Sequence, residues 1–187
     1  WKNWKHHNGK MQARRETYRA MQLDGPGQPL RAVERDMPVP GPNEILLKIL
    51  ACGVCRTDLH IADGEIAEAR YPVVPGHEIV GRIVEMGADV SGFAVGQRIG
   101  VPWLGSSCGH CSYCLASREN LCDDPEFTGC TRDGGYASHV VASAQYCFAI
   151  PERFSHAEAA PLLCAGLIGW RSLRMTGLAR TLGFYGF

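Results

Sequence analysis

The strongest constraint on this chain is a cluster of thiols. Cys108, Cys111, Cys114 and Cys122 fall within fifteen residues of the stretch GSSCGHCSYCLASRENLCDD. The spacing is C-x2-C-x2-C-x7-C. Cysteines two residues apart can place both sulfurs on one tetrahedral metal, at a Zn–S distance of ~2.3 Å. Four protein thiolates fill every position and leave no room for substrate or activated water, so such a zinc is structural. A ferredoxin cluster uses C-x2-C-x2-C-x3-C-P; here the last gap is seven residues and no proline follows Cys122 directly. Chance clustering of thiols that bind nothing is the remaining alternative. The chain carries nine cysteines, an odd number, so full pairing within the chain is impossible. No apolar signal-peptide core is present, so the expected compartment is the reducing cytoplasm. There, clustered cysteines read as metal ligands before disulfides.

Composition narrows the class further. With 187 residues the chain can bury a sizeable core, as one domain or one plus part of another. Hydrophobic content of 45% and charged content of 20% fit a soluble globular protein. Net charge is zero with no basic stripe, which argues against nucleic acid as a partner. No apolar run reaches the ~18 residues of a membrane span. The opening WKNWKHHNGK is basic and aromatic, and Trp1 is not a normal start. Residues 1–16 are expected to be an extension, disordered or non-native, with Met11 and Met21 as plausible starts; a basic amphipathic surface helix is the rival reading.

Along the rest of the chain, YRAMQLD reads as a strand that breaks at Gly25-Pro26-Gly27. A second strand, a proline-rich turn from Pro38 to Pro42, and a third strand from Glu44 to Ala51 follow. Residues 56–63, RTDLHIAD, look like a short helix. From Tyr71 to Trp103 the chain is strand material, and glycines at 81, 87, 92, 96 and 100 suit the bends and bulges of a small curled barrel. GGYASHVVASAQYCFAIP adds more strand. After Pro151, Ser155 and Glu158 form a capping-box start ahead of helically spaced apolar residues. ARTLGFYGF then resembles the first strand of a dinucleotide-binding βαβ unit.

A second constellation is more dispersed. CGVCRTDLH at 52–60, GHE at 76–78 and Cys164 in PLLCAGLIGW are weak signals singly, since a lone cysteine is usually a small hydrophobe. Together they offer two thiolates and an imidazole, and two cysteines with one histidine leave a zinc position open for chemistry.

These motifs, in this order, resemble the zinc-dependent medium-chain alcohol dehydrogenases, and the match runs from about Tyr18 to Phe187. The resemblance implies a mainly β catalytic domain of the GroES-like (chaperonin-10) kind: a partly open barrel with a zinc lobe and short helices. It implies a GroES-like domain over 17–150. Residues 151–187 would be a helical connection and the first strand of an incomplete nucleotide-binding domain. Cys55, His77 and Cys164 match the family's catalytic zinc ligands, and Glu78 the carboxylate that can swing onto the metal. Asp58 would accept the far N–H of His77; as a plain sequence feature it is an acid suiting a helix N-terminus. Thr57 matches the hydroxyl that bonds the alcohol, His60 the outer end of a proton relay, and Arg56 a residue facing the cofactor pyrophosphate. Trp103 resembles a wall of the substrate pocket, its plainer reading being core. Cys52, Cys130 and Cys147 read as packing thiols. His110 is expected to face solvent, and His139 and His156 to be surface or structural.

The implied reaction is hydride transfer between a primary or secondary alcohol and NAD or NADP through a zinc-bound alkoxide. Two zincs per chain are implied, with a small alcohol or aldehyde as substrate and a homodimer or tetramer at full length. Polyols, formaldehyde adducts or amino-alcohols are alternative substrates, and zinc-free quinone reductases are disfavoured because both thiol sets are intact. Gly183 and Gly186 are too few for a phosphate-binding turn. The chain is therefore expected to be a fragment, inactive alone. The alternative is a stand-alone zinc-binding structural or interaction module. Gln97-Arg98 departs from the family at a glycine usually followed by an acid, which is expected to touch only a surface turn.

Overall fold

The computed structural model describes residues 16–185. The extension expected over 1–16 therefore lies, but for Glu16, outside the described residues. Strands β1 (Thr17–Gln22) and β2 (Arg31–Asp36) pair antiparallel, Thr17 opposite Asp36 and Gln22 opposite Arg31. β3 (Glu44–Gly53) leads into helix α1 (Arg56–Asp63), and β4 (Glu78–Met86) and β5 (Arg98–Val101) follow. β6 (Leu104–Ser106), α2 (Ser112–Leu115) and β7 (Glu126–Phe127) carry the cysteine lobe. β8 (His139–Ser143), β9 (Phe148–Ala149), α3 (His156–Ala159) and α4 (Ala165–Met175) complete the described chain.

Five strands form one antiparallel sheet in the order β8-β3-β4-β5-β9. Among the described residues the ladder does not close, so the barrel is open, as expected. Register shifts interrupt the β3–β4 pairing between Leu46 and Leu47 and between Ile49 and Ala51, which bends and twists the strands locally. Ile45, Leu47, Ile79, Ile83, Ile99, Val101 and Val140 pack one face into the main core. The start of β4 is buried on both faces, because Val80 turns the other way onto Ala159, Ala160 and Leu163. His77 and Glu78, where β4 begins, are therefore held in a dry, doubly covered position, 0% and 3% exposed.

The α1 bounds coincide with residues 56–63. Cys55 caps the helix: Asp58, three residues on, accepts its N–H at 2.8 Å, a reciprocal arrangement that satisfies groups no helical carbonyl reaches. The Ser155–Glu158 box caps α3 in the same way. The helix after it breaks at Cys164, whose backbone (φ −134°, ψ −79°) separates a short 3-10 turn from α4.

One expectation needs correction. Arg98 is not at a surface turn. It is buried, and its guanidinium donates to the carbonyls of Pro151 (2.7 Å) and Phe154 (2.9 Å), tying β5 to the segment that leads to Cys164. Gln97 does sit in the turn, where its side-chain oxygen accepts the N–H of Ala94. The segment from 179 onward carries no strand among the described residues; a strand is a paired object, and no partner strand for it is among them.

Candidate metal centres

The cysteine lobe grows out of β6 and β7, whose pairing of Leu104 with Phe127 and Ser106 with Glu126 closes its neck. The sulfurs of Cys108, Cys111, Cys114 and Cys122 all lie within 4.8 Å of one another. Cys111 and Cys114 approach to 3.5 Å, and Cys108 and Cys114 to 3.9 Å. Four sulfurs ~2.3 Å from a common centre form a tetrahedron with edges of ~3.8 Å, so the spacing fits a zinc ion and is far too long for disulfides. Backbone N–H groups point at three of the sulfurs: Cys111 to Cys108 Sγ, Cys114 to Cys111 Sγ, and both Cys108 and Asp124 to Cys122 Sγ, at 3.3–3.5 Å. Such bonds favour thiolate. The N–H of Asp123, then that of Cys114, bring the Cys111 thiol down to about 6. Ser107 Oγ lies 3.4 Å from Cys114 Sγ and 2.5 Å from the hydroxyl of Tyr146, linking the lobe to the main body.

The second group joins residues that are remote in sequence. Donor atoms of Cys55, His77, Glu78 and Cys164 lie within 4.8 Å of one another, and the two sulfurs are 3.8 Å apart. Three are placed by a break in regular structure, Cys55 at the cap of α1, His77 just before β4 and Cys164 at the interruption ahead of α4, while Glu78 is the first residue of β4. Asp58 is 4% exposed and uses both oxygens. Oδ2 accepts the Cys55 N–H; Oδ1 lies 3.1 Å from the Gly76 N and 3.3 Å from His77 Nδ1. One carboxylate thus makes both the helix-cap contact and the histidine contact. Burial would raise its pKa, but the bonds from His77 and Cys55 outweigh that and hold it below the carboxylate range.

With Nδ1 engaged, Nε2 is the ring nitrogen that faces the thiols, and it is buried with no hydrogen-bond partner. A buried polar atom without a partner is costly, and a cation beside two sulfurs would satisfy it. The donor set and spacing fit a divalent metal with three or four protein ligands. Burial and then the neighbouring Cys55 push the Cys164 thiol up to about 12. Cys55 goes down: burial opposes, but the Thr57 N–H and hydroxyl prevail.

The remaining candidates lie around this group. Thr57 Oγ1 is 3.7 Å from Cys55 Sγ. Trp103 meets His77 edge-on at 5.1 Å and stacks on Phe127 at 4.8 Å. It packs on the small core of Leu23, Ile61, Val73 and Cys130, so its core role is real. His60, at the far end of α1, is paired with Glu65, and Arg56 is exposed at the first turn. Cys130 and Cys147 are buried packing thiols, and Cys52 packs beside Gly76, Gly135 and Ile79. His110 is exposed and bonds the Cys108 carbonyl at 2.8 Å.

Sequence reasoning passed over a glycine junction. Gly76 has φ +98°, and a Cβ there would fall 2.7 Å from the Tyr136 ring. A Cβ on Gly134 would fall 2.2 Å from the Gly76 carbonyl oxygen. The glycine density of TGCTRDGGY was the available signal: side-chain-free backbone wedges the histidine loop into place.

The family model described as "Alcohol dehydrogenase GroES-like domain" matches residues 41–152. A probable alcohol dehydrogenase of Mycobacterium tuberculosis is 44% identical over 182 residues, covering 91% of this chain and 53% of the relative. Among solved structures, a cobalt- and zinc-bound thermostable alcohol dehydrogenase from Pyrobaculum aerophilum superposes with a TM-score of 0.79 at 30% identity, covering 88% of this chain and 50% of that one. CAD from Helicobacter pylori in complex with NADP(H) superposes with a TM-score of 0.80 at 29% identity, covering 87% and 50%. The chain spans about half the length of the relatives it matches.

Proposed function

Because this chain belongs to the alcohol dehydrogenase GroES-like family, we propose that it is the catalytic-domain portion of a zinc-dependent alcohol dehydrogenase. The observation that carries the reading is the convergence of Cys55, His77, Glu78 and Cys164 around an unpartnered, buried Nε2. A zinc ion held by Cys55, His77 and Cys164 would supply Lewis-acid polarisation of an alcohol or carbonyl oxygen. The chain's own residues do the rest. Asp58 holds the His77 ring in one tautomer and orientation. Thr57 presents its hydroxyl beside Cys55 and is placed to take the proton of a bound alcohol. His60, partly exposed at the end of the same helix, is assigned to the outer, solvent end of the proton relay. Glu78 is an alternative oxygen donor, Trp103 closes one wall against water, and Arg56 is assigned to the phosphate side of a nicotinamide nucleotide. The four-cysteine lobe holds a second, structural zinc.

NAD or NADP as cofactor is supported by the NADP(H) complex of the Helicobacter neighbour, and zinc by the Pyrobaculum neighbour. Residues 17–150 serve as the catalytic domain and 151–187 as its connection to a nucleotide-binding domain. Apolar side chains of α4, with Leu167, Ile168, Trp170 and Leu173 half exposed, support a further packing partner. A small alcohol or aldehyde substrate, a homodimer or tetramer, and a cytoplasmic location belong to the same proposal. No helix among the described residues is long and apolar enough to cross a membrane.

Metal analysis tests the site assignment directly. The 187-residue chain is expected to carry two zincs, falling to one in Cys55→Ser and to one in Cys108→Ser. One zinc in the parent chain would refute the two-site assignment. At the level of the whole enzyme, nicotinamide-dependent alcohol oxidation should disappear in Cys55→Ser; normal turnover in that variant would refute the catalytic assignment.

A further inference from the structure

One buried polar group near the second site has no role in the mechanism above. The Tyr136 hydroxyl is buried and has no hydrogen-bond partner at ordinary geometry. Its backbone is fixed on both sides: its N–H donates to the Pro75 carbonyl at 2.9 Å, and its carbonyl accepts the Met21 N–H at 2.7 Å. The ring lies against Gly76, a contact that only a glycine permits. Gly76 in turn donates its N–H to Asp58. The Tyr136 ring and the Asp58 carboxylate thus both meet Gly76, the ring at its Cα and the carboxylate at its N–H. Burial first, then Asp58, raises the Tyr136 phenol, and the phenol is among the groups that lower Asp58.

An ionised carboxylate offers about four lone-pair positions. The N–H groups of Cys55, Gly76 and His77 take three at Asp58. We propose that Tyr136 is a positioning residue for the metal site: its hydroxyl donates the fourth hydrogen bond to Asp58 and so fixes the carboxylate that aims His77 Nε2. This rests on the reading that Cys55, His77 and Cys164 hold a metal. Metal on Nε2 supplies the reason for that bond, since it keeps Asp58 ionised and held to Nδ1–H.

Cobalt(II) titration of the 187-residue chain tests the inference, because the two sites report separately: one has four sulfurs, the other two sulfurs and a nitrogen. Tyr136→Phe keeps the ring and removes only the oxygen. The expected result is about three- to tenfold weaker cobalt binding at the histidine site, smaller than the 10–100-fold typical of a direct partner of a ligating histidine. Shifted ligand-field bands at that site should accompany it, with no change at the four-cysteine site. Adding Tyr136→Phe to Asp58→Asn should cost nothing more, because the two act through one bond. Unchanged affinity and spectrum in Tyr136→Phe would overturn the proposal. If the parent chain takes cobalt only at the four cysteines, the metal reading has failed and the inference falls with it. If Tyr136→Phe loses both sites through misfolding, the zinc-loaded parent decides by NMR: a slowly exchanging Tyr136 hydroxyl proton is expected, and its absence overturns the proposal.

Discussion

At Gly76 a left-handed φ of +98° coincides with a packed neighbour, the Tyr136 ring. Alanine there meets a backbone penalty and a collision at once, so Gly76→Ala should destabilise the chain by at least about 2 kcal/mol in urea unfolding. Because the same residue donates to Asp58, the variant should also lose zinc from the histidine site before the cysteine lobe loses its own. His139 offers a pH-dependent test. Burial first, then Lys48, lowers its pKa below 6.5 in the folded protein, against an opposing pull from Glu16. A histidine depressed on folding is neutral when folded and protonates more readily when unfolded. Its contribution is present above pH 6.5 and is lost as pH falls through the folded value. Unfolding free energies at about pH 7.5 and about pH 5 should therefore differ less in His139→Gln than in the parent. At this scale the two cysteine and histidine groups that the structure brings together were legible, as was Asp58, while the glycine junction behind them was not. Cysteine spacing is a covalent fact that survives in one dimension. The placement of the Tyr136 ring against Gly76 depends on the backbone approach at Gly76 and Gly134, which no local pattern records.

Strands with strong apolar character declare themselves; short ones set by tertiary pairing do not. β3 and the start of β4 were readable because Ile-Leu-Leu and Ile-Val mark buried faces. β6 and β7, three and two residues long, form only because the lobe's neck must close. Leu47 lies in the middle of β3, fully buried among Ile45, Ile79 and Ile83. Leu47→Ala should cost about 2–5 kcal/mol by denaturant unfolding. Arg98 is the element-scale anchor that was misread as a surface residue, because the sequence around it looks like an ordinary glycine turn. Arg98→Met would leave the Pro151 and Phe154 carbonyls without their donor. Two unpaired carbonyls outweigh the relief of removing a buried charge, and the expected loss is about 2–4 kcal/mol. Since the anchored segment carries Cys164, zinc affinity at that site should fall in parallel.

Across the whole molecule the two thiol groups differ in what they hold together. The lobe is a local appendage, so Cys108→Ser should release its zinc and lower the thermal midpoint, yet leave the histidine site able to bind metal. Survival of zinc and stability in that variant would remove the scaffold role of the lobe. The histidine site instead joins the cap of α1, the start of β4 and the break before α4, and so reports on the integrity of the main body. These spans also set an order of events in time. The lobe's ligands lie between positions 108 and 122, whereas Cys55 and Cys164 are 109 residues apart. Closing the longer loop costs about 2 kcal/mol more entropy in a flexible chain. It also cannot begin until position 164 has left the ribosome. The lobe's four cysteines can come together while the chain is still being made, whereas the group of Cys55, His77 and Cys164 must wait for nearly the whole described chain.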